Sequence, residues 1–287
     1  MAPGRKTSIG LLVAAAVLLF VWRAGRFSGP PQRVEAFPAK PLPAVLPEAS
    51  SSASFHYLRV PIFVYHSVAP YRPTMSLLVR RYTVSPDYLD QQLHYLQENG
   101  YTVISFESLV NAMTSESVTL PSKAVVLTFD DGWEDLYRQA FPILTKYSDT
   151  ATFFIFTNSI GYPDFMTWGQ LATMQAAGMD IESHSVSHPD LPAISDKAEL
   201  WNEIEGSREI IASHLGRSPD IFAYPYGAYN DLDIALLKAA GYRAARTDLG
   251  SALRTLPAFA ATKDELYKLP GIQVTNNLTR FLSLIKE

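Results

Sequence analysis

Val125-Val126-Leu127-Thr128-Phe129-Asp130-Asp131-Gly132-Trp133 is an apolar, β-branched run that ends on two adjacent carboxylates and a glycine. A short continuous apolar run bounded by a turn signal reads as a strand covered on both faces, the situation of strands in parallel sheets. Adjacent acids at the end of such a strand repel each other. They are costly unless a cation or a proton-transfer role accommodates them. Taken alone, Asp130-Asp131-Gly132 reads equally well as an ordinary turn.

Outward from this strand the chain repeats one pattern. β-rich runs at 60–65, 102–105, 124–129, 152–156, 180–182, 221–224 and 243–246 alternate with helical patterns at 86–99, 134–147, 167–177, 197–215 and 231–240. Four of these helices stop at Gly100, Gly178, Gly216 and Gly241, the residue suited to a left-handed C-terminal cap. Repeated β-then-α order predicts an α/β fold with a mostly parallel sheet, open or closed into a barrel. In such folds chemistry gathers at the C-terminal ends of the strands.

Ahead of the folded region, Arg5-Lys6 precede an apolar run at 9–22, which Arg23 and Arg26 follow. A basic start and about 14 apolar residues match an export signal and fall short of the roughly 17–25 of a full membrane span. No small-x-small cleavage site follows directly, so residues 1–28 are expected to form a signal anchor rather than a removed signal peptide. Residues 29–54, rich in proline, alanine and serine, read as an extended linker. Residues 55–287 are then the folded domain.

Composition narrows the chemistry. The 287 residues are 47% hydrophobic and 18% charged, enough to bury a core and too apolar for a disordered chain. A formal net charge of -4 argues against a nucleic-acid binder. With no cysteine, disulfides, thiolate metal sites and a cysteine nucleophile are excluded. Imidazole chemistry must come from His56, His66, His94, His184, His188 and His214.

Two of these stand four apart in Ile181-Glu182-Ser183-His184-Ser185-Val186-Ser187-His188-Pro189, just after a β-like run. Pro189 and the preceding Gly178 disfavour a helix through the pair, so a tight loop must bring the imidazoles together. Two histidines and one carboxylate, with other positions open to water, make a catalytic metal set. Two surface histidines in a serine-rich loop would be the plain alternative. Phe222-Ala223-Tyr224-Pro225-Tyr226-Gly227 is a strand ending in a turn that can aim a backbone N–H at a developing oxyanion. Ile62-Phe63-Val64-Tyr65-His66 places one more histidine at the end of the first strand. It matters only if the fold sets that strand beside the Asp and His loops.

In this order, Thr128-Phe129-Asp130-Asp131-Gly132, His184-Ser185-x-x-His188 and Tyr224-Pro225-Tyr226-Gly227 resemble the successive motifs of the polysaccharide deacetylases, carbohydrate esterase family 4. The resemblance covers roughly residues 60–274. It implies a distorted (β/α) barrel, here preceded by the N-terminal membrane or export helix. It also implies Asp131, His184 and His188 as ligands of a divalent metal, zinc first and cobalt or nickel as alternatives. Asp130 would be the general base, the Tyr226 backbone N–H an oxyanion donor, and Tyr224, Pro225 and Trp133 contacts for the sugar.

The chain departs from the commonest family pattern. It has no histidine after His214 to serve as the general acid, and Ala223 stands where an arginine usually precedes the proline-tyrosine motif. Both departures resemble the branch of exported poly-β-1,6-N-acetylglucosamine deacetylases, in which a Tyr-His pair on the first strand carries the acid. Tyr65-His66 matches it. His66 is therefore the expected acid, with Asp248 a candidate to orient it. Gly271 stands where that branch often has arginine, which leaves open what supports Asp130. The implied activity is hydrolytic N-deacetylation of an exported N-acetylglucosamine polymer, in contact with a membrane and with polysaccharide export machinery. The catalytic domain would lie in the periplasm or outside the cell, anchored to the inner membrane, or would be secreted if the signal is cleaved. Peptidoglycan, chitin or acetylated xylan are alternative substrates, and a carbohydrate-binding protein that has lost catalysis is the alternative of another class.

Overall fold

Seven parallel strands close into a barrel. The computed structural model describes residues 57–72, 74–115, 117–249, 259–260 and 265–285. The expected export segment at 1–28 and linker at 29–54 lie outside the described residues. The principal strands are β1 Ile62–Tyr65, β2 Thr102–Val103, β3 Ala124–Asp131, β4 Thr152–Ile155, β5 Asp180–Ser183, β6 Ile221–Ala223, β7 Ala244–Asp248 and β8 Leu269–Gln273. The sheet runs β1-β8-β7-β6-β5-β4-β3-β2, and β1 also pairs with β3, which closes the ring. β2 remains outside it, flanking the start of β3 through Thr102↔Ala124 and Val103↔Val125.

The opening stretch of sequence explains why this sheet holds. β3 is buried along its whole length, including both of its terminal acids, because neighbouring strands cover its edges and side chains cover both faces. Alternation divides these side chains into two layers. Ile62, Val126 and Phe154 belong to one buried cluster, and Phe63, Leu127 and Phe153 to another that includes Leu89, Leu93 and Phe281 of the surrounding helices. Each fully buried side chain of this size contributes about 1.5–3 kcal/mol relative to exposure.

The helices at Pro86–Glu98, Trp168–Ala176 and Asp231–Ala239 follow the expected pattern. Gly100, Gly178, Gly216 and Gly241 all take the left-handed conformation expected of them. Two helices are more irregular than their sequence suggests. The segment before Phe141–Tyr147 is a π turn, Leu136–Ala140, and a second π turn, Asn202–Gly206, separates Lys197–Trp201 from Ser207–Leu215. Such turns are rare and gather at functional sites. Strand β8 and the helices Leu77–Tyr82, Phe106–Thr114 and Leu278–Ile285 were not expected from the sequence pattern. In β8, Pro270 and Gly271 hide the strand signal. Among the described residues no helix is long and apolar enough to cross a membrane.

Candidate active site

Asp131, His184 and His188 meet at the C-terminal ends of the strands. Their donor atoms all lie within 4.8 Å of one another. His184 Nε2 is 3.1 Å from His188 Nε2 and 3.8 Å from Asp131 Oδ1, and His188 Nε2 is 3.5 Å from the same oxygen. Ligands about 2.0–2.2 Å from a tetrahedral ion stand roughly 3.3–3.6 Å apart, so this triangle suits one divalent cation. The tautomer of His184 suits it too. Its Nδ1 lies 2.7 Å from the carbonyl oxygen of Ala223, which can only accept, so Nδ1 carries the proton and Nε2 presents a lone pair. Burial pushes both imidazoles toward the neutral form that ligates metals. His188 falls to about 4, with His184 adding to the effect, and His184 moves down despite the pull of Asp130 and Asp131.

The loop carrying these histidines is tight, as Pro189 and the preceding glycine required. Ser185 and His188 take left-handed backbones, with φ of 73° and 59°, and the Ser185 hydroxyl accepts the His188 N–H at 2.9 Å. Asp131 is itself left-handed, with φ of 75°. That conformation is uncommon outside glycine, although Asp tolerates it better than most residues. It turns the second acid of the pair out of the strand plane. The two Asp131 oxygens then divide their work, Oδ1 toward the histidines and Oδ2 accepting the indole N–H of Trp133 at 3.0 Å. Trp133, expected at the sugar, is thus placed to hold the Asp131 carboxylate. Its ring stacks on Phe165 at 4.3 Å.

Asp130 occupies a different environment. It is 3% exposed, and the guanidinium of Arg246 on β7 places Nη2 2.6 Å from each of its oxygens. β7 and β3 are not neighbours in the ring, so this pair crosses the barrel interior, with the guanidinium 5.1 Å from the Phe154 ring centroid. The strand between β7 and β1 makes room for it. A Cβ at Gly271 would stand 2.6 Å from Val64 Cγ2, 2.8 Å from the Thr247 carbonyl oxygen and 2.9 Å from Arg246 Nη1. Burial alone would raise the Asp130 carboxyl. Arg246, with His184 and His66, more than offsets this and holds it below the usual carboxylate range. The support for Asp130 left open by Ala223 and Gly271 is therefore Arg246, a residue the sequence reading passed over. Its signal was an arginine at the C-terminal end of an expected strand.

His66 completes the group. Pairing of β1 with β3 sets Tyr65 opposite Phe129, which brings His66 Nε2 to 3.9 Å from Asp130 Oδ2. Its ring meets Tyr82 edge-on at 4.8 Å. The expectation that Asp248 orients it is corrected: His66 Nδ1 is buried without a hydrogen-bond partner among the described residues. Asp248 sits at the end of β7, whereas the chain around His66 is held from the opposite side. There Asp135 accepts the Ser67 hydroxyl at 2.6 Å and the Val68 N–H at 3.3 Å. Burial raises Asp135 to about 6 in spite of these bonds.

The Tyr224-Pro225-Tyr226-Gly227 segment closes the site. Pro225–Gly227 forms a 3-10 turn in which Tyr226 takes φ 59° and ψ 9°. The Tyr226 ring packs edge-on against His188 at 4.6 Å. Tyr224 is buried and donates its hydroxyl to the Tyr267 carbonyl at 3.1 Å, which makes it a support beneath the turn. Asp130, Asp131, His184, His188, His66, Trp133 and Tyr226 thus lie together at one mouth of the barrel, with a metal-suited triangle, an ionised carboxylate and a histidine side by side.

Known proteins share this arrangement of chain. Residues 117–245 match the family model described as polysaccharide deacetylase. A poly-β-1,6-N-acetyl-D-glucosamine N-deacetylase of Staphylococcus epidermidis is 28% identical over 262 residues, covering 84% of this chain and 84% of its own. The solved deacetylase PplD of Streptococcus pyogenes, in complex with acetate, is similar with a TM-score of 0.70 and 28% identity, over 81% of this chain and all of PplD. A polysaccharide deacetylase from Bacillus cereus is similar with a TM-score of 0.67 and 25% identity, over 80% of this chain and 69% of that one.

Proposed function

We propose that this chain, which matches the polysaccharide deacetylase model over residues 117–245, is a hydrolase of amide bonds that removes N-acetyl groups from an exported polymer of N-acetylglucosamine, poly-β-1,6-N-acetylglucosamine in particular. The observation that carries the reading is the Asp131–His184–His188 triangle with Asp130 and His66 beside it. The name of the Staphylococcus epidermidis relative supports the choice of polymer, as does a histidine on the first strand in place of one near the C-terminus.

Asp131 Oδ1 and the two Nε2 atoms would hold a divalent cation, zinc by the nature of the donors. Such a cation supplies Lewis acidity toward the acetyl carbonyl. Asp130, kept ionised by Arg246, takes the proton of the attacking water. The Tyr226 backbone N–H donates to the oxyanion of the tetrahedral carbon. His66, on the Asp130 side of the site, returns a proton to the departing sugar amine, so that acetate and a free amine leave. Trp133 orients Asp131, and the Tyr226 ring borders the sugar. The segment at 1–28 would hold this domain on the outer face of the inner membrane, within reach of a polysaccharide exporter.

Acetate release from a panel of oligosaccharides tests the proposal, with zinc, cobalt and nickel compared and a chelator as control. Chelator-sensitive release from β-1,6-linked N-acetylglucosamine is expected. Preference for chitin, peptidoglycan or acetylated xylan fragments would move the substrate assignment. Tight polymer binding with no release at saturating metal would replace it with a carbohydrate-binding role.

A further inference from the structure

The loop from His184 to His188 is gripped from behind by one side chain. Glu203 Oε2 accepts the N–H of Val186 at 3.0 Å and of Ser187 at 2.8 Å, and Oε1 accepts the Ser187 hydroxyl at 2.6 Å. Glu203 is 6% exposed and lies in the π turn Asn202–Gly206. The same helix face continues to Gly206, where a Cβ would stand 3.0 Å from Asn202 Oδ1 and 3.5 Å from Val186 Cγ2. It continues again to Ser207, whose hydroxyl is 2.6 Å from that of Ser183. Residues 203, 206 and 207 therefore pack as one surface against residues 183–187.

The loop needs such a hold. Left-handed Ser185 and His188 are unfavourable for L-residues and persist only where the surroundings over-determine them. Two successive amides directed at one carboxylate impose a curl on the backbone between the histidines. That curl returns the side chain of His188 toward His184, so that the two Nε2 atoms stand 3.1 Å apart.

We infer that Glu203 is a positioning residue that preorganises His184 and His188, so that a carboxylate that does not touch the cation sets how tightly this chain holds it. The inference rests on the reading of Asp131, His184 and His188 as the metal centre. With Glu203 in place the loop is ordered before the metal arrives. Without it, the metal must order the loop itself, and affinity falls by that cost.

Zinc affinity measured by competition with a chromophoric chelator, far below the unfolding temperature, tests this on the full chain. Glu203→Ala should weaken zinc binding by roughly 10- to 100-fold. Glu203→Gln, which keeps an oxygen for the two amides, should fall between Ala and wild type. Ser187→Ala, which removes only the Oε1 contact at an exposed position, should weaken binding least. Amide hydrogen exchange of residues 184–188 in the metal-free chain should quicken in the same order. A role confined to fold stability would lower the unfolding temperature while leaving zinc affinity and loop exchange at wild-type values, and that result overturns the inference. If Glu203→Ala does not fold, wild-type affinity in both Glu203→Gln and Ser187→Ala overturns it equally. Failure of the wild-type chain to bind zinc takes down the metal centre and this inference with it.

Discussion

Arg246 and Asp130 face each other across the barrel interior, one guanidinium nitrogen 2.6 Å from both carboxylate oxygens. The arginine is 1% exposed and Asp130 3%, so neither charge has water to fall back on. Removing one partner of a buried pair leaves the other uncompensated, at about 3–5 kcal/mol. Arg246→Ala should therefore lower the unfolding temperature and reduce kcat while zinc stays bound. Arg246→Lys should recover part of both, since a single ammonium keeps the charge without the planar fork. Unchanged turnover in Arg246→Ala would show that Asp130 needs no such partner.

Gly271 is the complement of that pair. Even a methyl group there would meet Val64, the Thr247 carbonyl and the guanidinium at 2.6–2.9 Å. Gly271→Ala should destabilise the chain by about 1–3 kcal/mol through overpacking. It should also slow turnover by displacing Arg246 from Asp130. Denaturant unfolding and acetate release read the two effects separately, and wild-type values in both would mean that the interior yields more readily than its contacts imply.

The two histidines of the cluster and the histidine beside it should fail in different ways. His184→Ala should lose zinc and turnover together. His66→Ala should keep zinc at wild-type stoichiometry and lose roughly 10²- to 10⁴-fold in kcat, the range of a general acid or base. Metal analysis alongside kinetics decides it, and loss of zinc from His66→Ala would reassign that residue to the metal.

Trp133→Phe keeps an aromatic ring on Phe165 and deletes only the N–H that holds Asp131 Oδ2. Zinc affinity should drop by roughly tenfold, as for other outer partners of metal ligands. An effect on the KM for the polymer with zinc affinity intact would leave Trp133 with a sugar contact alone.

In the metal-free chain His188 is neutral down to about pH 4, against 6.5 for an unperturbed imidazole. Between these values the unfolded chain binds more protons than the folded one, so stability rises with pH across this window. The His188 contribution is complete above about pH 6.5 and is lost progressively as pH falls toward 4, on the order of 3 kcal/mol in all. Asp135 and Glu182, raised to about 6 and about 7 by burial, act in the opposite sense. The measurement is therefore the difference in unfolding free energy between wild type and His188→Gln at several pH values. A difference that does not vary between pH 4 and 6.5 would contradict the shift.

Most of the site was legible because its parts are local. Asp130-Asp131, His184-x-x-x-His188 and Tyr224-Pro225-Tyr226 each follow a strand directly, and a buried parallel strand announces itself by a continuous apolar run. The order β then α, with glycine stops, was enough for a mostly parallel sheet, and the family resemblance chose the barrel over an open sheet. Strand β8 escaped because Pro270 and Gly271 break the pattern, although this strand joins β7 to β1 and closes the ring. Glu203 and Asp135 escaped because a single acid on a helix looks like a solvated face. Their partners are backbone amides and a hydroxyl far along the chain.

The sequence by itself determined a mostly parallel α/β fold and a short list of candidates at strand ends, Asp130, Asp131, His184, His188 and His66, which the family resemblance grouped as one metal-suited set in a barrel. Strand order and short loops govern these, and both are written in residue spacing. Only the tertiary structure decided what steadies them: Arg246 on Asp130, Glu203 behind the histidine loop, Trp133 on Asp131. Such contacts depend on which strands face each other once the ring closes, and on the space left where Gly271 lacks a side chain. Distances across a closed barrel have no counterpart in spacing along the chain.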